Sequence, residues 1–290
     1  AQAYGDFWRL QERVRLATEN LQEHRQLFER IRRRTDQEIS SEADVALAQA
    51  RLQQAQTDLL TLSAATTSAR NTLEQLVGGP VPAIDKPAAG AGLQWKDSGE
   101  LLGAVLQFSP TLRRLDEERN VAQKDVEAKR ALLYPNVSLR YEKLSGAVTG
   151  VPLDHWLVVL DYTPGAGLSS VSAIGAAVKR AEMAGNALAA GQRDVTQQAV
   201  NQYNEARSFA DQLEPARAYA KASADVMASY LRQYTTGRKS WLDVMNAQRE
   251  QTQARYAELD TFAGSILSAL KLDILAGRLT RTIVQAASGK

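Results

Sequence analysis

Residues 233–248 read QYTTGRKSWLDVMNAQ, and residues 34–49 read RTDQEISSEADVALAQ. The two stretches align without a gap at an offset of 243 − 44 = 199. In each, a polar turn precedes a helix start that carries a hydroxyl cap and an acidic residue in the first turn. The identical positions are Ser41/Ser240, Asp44/Asp243, Val45/Val244, Ala48/Ala247 and Gln49/Gln248. So long a period indicates a duplicated half-chain with a helical hairpin in each half.

Long helices are predicted on both sides of each turn. Residues 2–34 carry apolar side chains at a spacing close to 3.5, and a second helical pattern stops at Gly78-Gly79-Pro80. After Gly167 the helical pattern continues to about Tyr234, which corresponds to on the order of 100 Å at 1.5 Å per residue. Pro215 is expected to kink or disrupt that helix. A last helix is predicted to about Ala276.

Between the helical regions the hydrophobic period changes to two, which predicts a strand hairpin over 135–141 and 155–162. One face of the second strand is wholly apolar with aromatic ends, as lipid contact requires. A small hairpin packed on the helices of a soluble protein fits the same pattern. The residues predicted to face lipid are Trp156, Val158, Leu160 and Tyr162.

Composition excludes several function classes. The 290 residues contain no Cys and two His, which argues against disulfides, zinc sites, thiol nucleophiles and a Ser–His–Asp triad. A net charge of +2 gives no strong basic face for nucleic acid. No window of about 18 apolar residues predicts a membrane-spanning helix. Aromatic residues make up 6% and alanine roughly one in six, which favours slender, closely packed helices. We find no catalytic constellation and predict a protein that is not an enzyme and needs no cofactor or metal.

In order and spacing, these features resemble the outer-membrane factor family typified by TolC. Besides the two turns followed by Asp-Val-x-x-Ala-Gln, the resemblance rests on Ser109-Pro110-x-Leu112 opening a helix and Tyr162-x-Pro164-Gly165-x-Gly167 preceding a very long one. A fourth motif is Tyr234-x-x-Gly237 followed by Ser240-x-x-Asp243-Val244. The match covers nearly residues 1–280.

The resemblance implies a mainly α fold with a small β part, in which long antiparallel helices of a periplasmic α-barrel adjoin a transmembrane β-hairpin. Such subunits form homotrimers whose strands build a 12-stranded β-barrel in the bacterial outer membrane. The implied function is a passive channel for type I protein secretion or drug efflux. Implied partners are a periplasmic adaptor protein, an inner-membrane pump of the ABC or RND type, and outer-membrane lipid. The alternative from a different class is a soluble helical coiled-coil scaffold.

The predicted organisation follows the family pattern. The helical hairpin of the first repeat spans 1–79, a linker or equatorial region 80–109, a barrel helix 110–134, the barrel strands 135–163, the long helical hairpin of the second repeat 164–279, and a flexible tail 280–290. Only the second pair of strands is present. We therefore expect an N-terminal segment, the opening helix and hairpin of the first repeat, to be missing from this sequence.

The resemblance also implies roles for single residues. Asp44, Tyr234 and Lys239 match positions where hydrogen bonds and ion pairs hold the periplasmic entrance closed; Lys239 stands where some members carry Arg. Asp243 matches an acidic ring that narrows the pore, and Asn246 occupies a position that is often acidic. Asp44 and Asp243 also fit as plain first-turn residues favoured by the helix dipole. The turn residues implied to contact the adaptor are Glu38, Ile39, Ser40, Gly237 and Arg238.

Glu38 occupies the place that matches Gly237 in the second turn. A residue with a side chain resists positive φ, whereas glycine adopts it freely. We therefore expect the first turn to differ in conformation from the second.

Overall fold

The structure is a computed structural model that describes residues 2–38, 40–84, 93–143, 154–162 and 169–279. Within these ranges the chain forms helices and one strand pair in the order predicted from the sequence. In chain order the elements are α1 (Gln2–Thr35), α2 (Glu42–Val77), α3 (Ser98–Phe108), α4 (Pro110–Ala131), β1 (Asn136–Lys143), β2 (Asp154–Asp161), α5 (Ser169–Thr235) and α6 (Trp241–Leu275).

The helix ends follow local sequence signals. The Ser41 side chain caps α2, which stops where Gly78 adopts φ 79° and donates its N–H to the Glu74 carbonyl. The Ser109 side chain accepts a hydrogen bond from the Leu112 N–H at the start of α4. The end of α4 at Ala131 falls three residues short of the predicted 134, because the residue before Pro135 is disfavoured in helical conformation.

Pro215 lies inside α5 without ending it. The helix is continuous over its 67 residues, so the predicted local disruption does not occur. Proline removes one helical hydrogen bond and crowds the carbonyl four residues earlier, here that of Asp211. Both residues are exposed, so water can satisfy that carbonyl.

The chain divides into two compact units. The first comprises Ala1–Leu102 and Ala199–Lys290, and the second comprises Gly103–Gln198. In the first unit α1 packs against α2 and α6. Its apolar core contains a cluster beside the two turns and a second one in which Trp8 meets Phe262 edge to face, 5.8 Å between ring centroids.

The second unit contains α4 and the strand hairpin. A Cβ on Gly191 of α5 would lie 2.4 Å from Leu115 Cδ1, so this glycine allows a close approach to α4. β1 and β2 are antiparallel, with Val137 opposite Leu160 and Tyr141 opposite Trp156. None of the described helices has the length and apolarity that crossing a bilayer requires.

Several sequence predictions concern residues that lie outside the described ranges. They are Ile39, the middle of the predicted linker (85–92), the hairpin loop (144–153), the Pro164-Gly165-x-Gly167 motif and the tail beyond residue 279.

Candidate functional site

The two turns that join the helix pairs share a left-handed backbone conformation at the matching residues Glu38 and Gly237. Glu38 has φ 60° and Gly237 has φ 74°. Glu38 donates its N–H to the Thr35 carbonyl at 2.8 Å, and Gly237 donates to the equivalent Tyr234 carbonyl at 3.0 Å. The expectation that Glu38 would force a different turn is therefore wrong. Glu38 is exposed, and the helix before it and the capped helix after it hold the strained backbone in place.

Both turns lead into capped helices, but only the second cap is reciprocal. Ser41 and Ser240 accept hydrogen bonds at 3.2 Å from the N–H groups of Asp44 and Asp243. The Asp243 carboxylate in turn accepts from the Ser240 N–H at 3.0 Å and from its hydroxyl at 2.8 Å, which completes a capping box. In the described part of the chain the Asp44 carboxylate makes no such bond.

The capping box changes the acidity of Asp243. Its pKa is lowered, chiefly by the hydrogen bond from the Ser240 side chain and then by that from the Ser240 backbone N–H; burial opposes this, and the charge of Lys239 lowers the pKa further. The carboxylate is thus held ionised. This arrangement matches the alternative that treats Asp243 as a first-turn residue, and it leaves the pore role a proposal.

Tyr234 joins the first turn to the second. Its side chain is 8% exposed, and its hydroxyl lies 3.1 Å from the Ser40 hydroxyl. The Arg34 guanidinium lies 4.7 Å from the centre of its ring, and the Trp241 ring lies 5.3 Å away between centroids. Of the residues predicted to form the gate, Tyr234 is therefore the one that bridges the two turns within one chain.

Lys239 and Asp44 do not meet in this chain. The Lys239 ammonium lies 4.2 Å from the centre of the Tyr230 ring, a cation–π geometry. Among the described residues, the Asp44 carboxylate forms no ion pair. The structure therefore does not bring Asp44, Tyr234 and Lys239 together as one intramolecular network. Pairing between them would require a neighbouring subunit.

The remaining predicted positions lie at the surface of the turns. Glu38, Gly237 and Arg238 are exposed, and Ser40 is half-buried. Asn246 is exposed one helical turn after the half-buried Asp243. Such accessible side chains and backbone are available to a partner protein.

Two features of the site were missed by sequence reasoning. Trp241 is 2% exposed and closes the apolar cluster beneath the turns. Its large apolar side chain was the available signal, since tryptophan is highly buried on average. Gln248 is 1% exposed, although the matching Gln49 is exposed. It donates hydrogen bonds to Glu23 at 2.5 Å and to Asn20 at 3.4 Å on α1.

The strand hairpin presents an apolar face that is not covered by its own chain. Val137, Leu139 and Tyr141 of β1 lie opposite Leu160, Val158 and Trp156 of β2, and all six are exposed, Val158 to 74%. Tyr162 is exposed as well. The Tyr141 and Trp156 rings lie 5.0 Å apart at one end of this face. This face of the hairpin is thus not packed on the helices of its own chain.

The opposite face of the hairpin is mixed and partly polar. His155 Nε2 lies 3.8 Å from a Glu142 carboxylate oxygen, and Arg140 lies 3.5 Å from the other. Leu157 and Val159 share this face and are half-buried. The two faces therefore differ in polarity, as in a sheet with lipid on one side and water on the other.

Comparison with known proteins finds similarity to solved structures alone. No protein-family model matches the chain, and no curated protein does. Among solved structures, CusC has a TM-score of 0.82 at 16% identity over 95% of this chain and 66% of its own. VceC from Vibrio cholerae, an outer-membrane protein, has a TM-score of 0.80 at 16% identity over 95% of this chain and 68% of its own.

The outer-membrane channel MtrE of Neisseria gonorrhoeae, solved in its open state, has a TM-score of 0.77 at 19% identity over 96% of this chain and 64% of its own. The chain thus spans about two thirds of the length of the channels it matches. The TolC-like fold predicted from the sequence, mainly helical with a small β part, is confirmed by these matches.

Proposed function

We propose that the chain is the larger part of an outer-membrane channel subunit in a tripartite export system. It acts as a passive duct for type I protein secretion or drug efflux, and it is not an enzyme. One observation carries the proposal: the β1–β2 hairpin exposes an apolar face along its whole length, on a chain whose fold is that of outer-membrane channels. Val158 and Leu160 are placed to contact lipid.

Membrane physics explains why such a hairpin needs partners. Each of the two strands forms backbone hydrogen bonds with the other along one edge only. A bilayer core offers no water to bond the backbone N–H and C=O groups of the free edges. The edges are satisfied when strands from several subunits close into a barrel. A homotrimer of the complete subunit in the bacterial outer membrane is the arrangement we propose. Residues 135–163 supply barrel strands, and 1–79, 110–134 and 164–279 supply helices of the periplasmic tunnel.

The two turns form the periplasmic entrance in this proposal. Within the described chain neither Asp44 nor Lys239 forms an ion pair, although the charge of Lys239 acts on Asp243, and each can pair with a neighbouring subunit. Asp243 lines the constriction with Asn246 one turn further along the pore. The exposed backbone and side chains of both turns bind a periplasmic adaptor protein, which links the channel to an inner-membrane pump of the ABC or RND type.

A soluble helical scaffold is the alternative from another class. It is disfavoured because a soluble protein that leaves six large apolar side chains exposed on one hairpin face is prone to aggregate. The test is to fractionate cells that express the complete protein and to measure its oligomeric state in detergent. We expect the protein in the outer-membrane fraction as a trimer. A monomer in the soluble fraction would overturn the proposal.

The transported cargo is tested separately. A deletion strain is assayed for accumulation of hydrophobic dyes and for loss of secreted proteins. Dye accumulation alone assigns drug efflux, and loss of secretion alone assigns type I secretion.

A further inference from the structure

The chain between α4 and β1 is exposed at every residue from 130 to 135. The last turn of α4 carries two basic side chains, Lys129 and Arg130. The three large side chains that follow are Leu132 (57% exposed), Leu133 (39%) and Tyr134 (74%). We call residues 129–134 the junction segment, because they join two basic side chains to an exposed apolar and aromatic stretch.

The junction segment adjoins the apolar face of the strand hairpin. Asn136, the first residue of β1, lies opposite Asp161, the last residue of β2. Tyr134 and Tyr162 therefore flank the same end of the hairpin, and both are exposed. The other end of the face carries a second aromatic pair. Aromatic side chains thus lie at both ends of the apolar face, as they do at the two interfaces of a bilayer.

The described strands are shorter than the apolar band of a membrane. β1 and β2 have 8 residues each. Strands of this length reach about 27 Å, or about 20 Å along the membrane normal at a tilt of about 40°. The apolar outer band of transmembrane barrels is about 25 Å tall. The exposed leucines of the junction segment extend the apolar surface toward the helices and supply part of the missing height.

The two basic side chains of the junction segment have no carboxylate partner in the described part of the chain. Earlier in α4, Lys124 pairs with Glu127 at 2.7 Å, whereas neither Lys129 nor Arg130 forms an ion pair among the described residues. Basic residues in a last turn suit the helix dipole. That preference does not account for the exposed apolar residues directly after them.

The backbone of the junction segment suits the boundary of a membrane. Leu133 and Tyr134 donate their N–H groups to the carbonyls of Arg130 and Ala131, at 3.0 Å in each case. These donors are therefore satisfied within the turn and do not depend on water, which becomes scarce toward the bilayer core.

Charge, apolar surface and position together select the partner. The phosphate of an anionic phospholipid accepts charge-assisted hydrogen bonds from lysine and arginine, while its acyl chains cover leucine. Tyrosine is enriched at the headgroup level, where its ring is apolar and its hydroxyl is hydrated. We propose that the junction segment binds an anionic phospholipid of the leaflet next to the helices, with Lys129 and Arg130 on its headgroup. The inference rests on the proposed outer-membrane channel.

The bound headgroup sets the depth of the hairpin in the bilayer. Moving Lys129 and Arg130 into the apolar core is costly, and so is moving the exposed leucines into water. The junction segment therefore holds the last turn of α4 at the level of the headgroups.

The test measures phospholipid binding to the complete protein in detergent by native mass spectrometry. The probes are anionic phosphatidylglycerol, zwitterionic phosphatidylcholine, and glycerol 3-phosphate as a free headgroup without acyl chains. We expect phosphatidylglycerol to bind at least about tenfold more tightly than phosphatidylcholine, since each basic side chain near an anionic surface contributes about fivefold. Glycerol 3-phosphate at the same concentration is expected not to compete. Competition by it would assign the site to free phosphate and overturn the proposal.

The double variant Lys129→Gln with Arg130→Gln is expected to lose the preference for phosphatidylglycerol and to bind phosphatidylcholine as the wild type does. The matched control, Arg114→Gln with Lys124→Gln, removes two positive charges from exposed positions of α4 farther from the hairpin and keeps the preference. Far-ultraviolet circular dichroism verifies that both variants stay helical. Equal affinity of the wild type for the two lipids would overturn the proposal, as would an equal loss of preference in the control.

The location of the protein is assayed in the same preparations, so that the two proposals can fail separately. A wild-type trimer in the outer membrane that shows no preference for phosphatidylglycerol refutes the lipid site alone. A protein absent from the outer-membrane fraction refutes the proposed channel as well.

Discussion

The hydroxyls of Ser40 and Tyr234 lie 3.1 Å apart, which places the first turn of the chain in direct contact with the second, 194 residues later. The contact is supported from below by Trp241 and from the side by Arg34, both of which meet the Tyr234 ring. It is a neutral hydrogen bond at the edge of a buried apolar cluster. Such a bond is strong enough to align the turns and weak enough to be exchanged for a bond to a partner.

Replacing Tyr234 with Phe keeps the ring in the cluster and removes the hydroxyl. We expect the free energy of unfolding to fall by about 1 kcal/mol, the usual net contribution of a partly buried hydrogen bond. Urea unfolding monitored by circular dichroism measures it. Tyr219→Phe is the control, because that hydroxyl contacts Glu250 at 3.3 Å on the exposed surface. A loss in the control equal to that in Tyr234→Phe would contradict the assignment.

Replacing both Asp44 and Lys239 with Ala tests the proposed gate. If these side chains pair between subunits, their removal raises the single-channel conductance of the complete protein in planar bilayers. The control double variant Arg25→Ala with Glu29→Ala removes the same two charges from exposed positions of α1. Unchanged conductance in the Asp44/Lys239 variant would count against the gate.

Glu38 and Gly237 should respond in opposite ways to substitution. Glu38→Gly relieves a positive φ of 60° and is expected to raise stability by up to about 1 kcal/mol. Gly237→Ala introduces the same strain at φ 74° and is expected to lower stability by about 1 kcal/mol. Thermal unfolding of both variants measures the shifts. Shifts of the same sign would show that the two turns are not equivalent.

Ser240→Ala removes the cap of α6 and is expected to lower the free energy of unfolding by about 1 kcal/mol. Ser41→Ala removes a cap that lacks the returning carboxylate, so it is expected to lower the free energy of unfolding by less.

Folding lowers the pKa of Asp243. The contribution of the Asp243 carboxylate to stability is therefore complete above the ordinary pKa of 3.8 and is lost as the pH falls through the lowered folded value. Asp243→Asn should therefore flatten the acid dependence of unfolding below about pH 4. An unchanged acid profile in Asp243→Asn would refute the capping role.

The two faces of β2 should differ in their tolerance of charge. Val158→Lys places an ammonium on the exposed apolar face at mid-strand, which costs roughly 2–4 kcal/mol if that face meets the bilayer centre. We expect loss of the trimer from the outer-membrane fraction, assayed by gel mobility without heating. Val159→Lys, one residue on, points to the opposite face and should be tolerated. Equal tolerance of both substitutions would argue against lipid contact.

Much of the fold was predictable because its signals are local. The caps at Ser41 and Ser240, the stop at Gly78 and the alternation in β1 and β2 each depend on a few neighbouring residues. Their order along the chain was enough to predict the fold class. The conformation of Glu38 was predicted wrongly, since local preference alone disfavours a positive φ that the capped helices on either side impose.

The same distinction between local signals and tertiary contacts applies to the candidate site. Sequence alone placed Tyr234, Lys239 and Asp243 at a turn and identified the matching turn near Asp44, because a duplication preserves spacing. It could not tell that Gln248 is buried while Gln49 is exposed, since burial depends on which helix packs alongside. Nor could it place Gln248 of α6 within hydrogen-bond distance of Glu23 of α1, because contacts between helices distant in the chain depend on how those helices pack. The sequence by itself determined the elements and their order, and the tertiary structure decided which side chains meet.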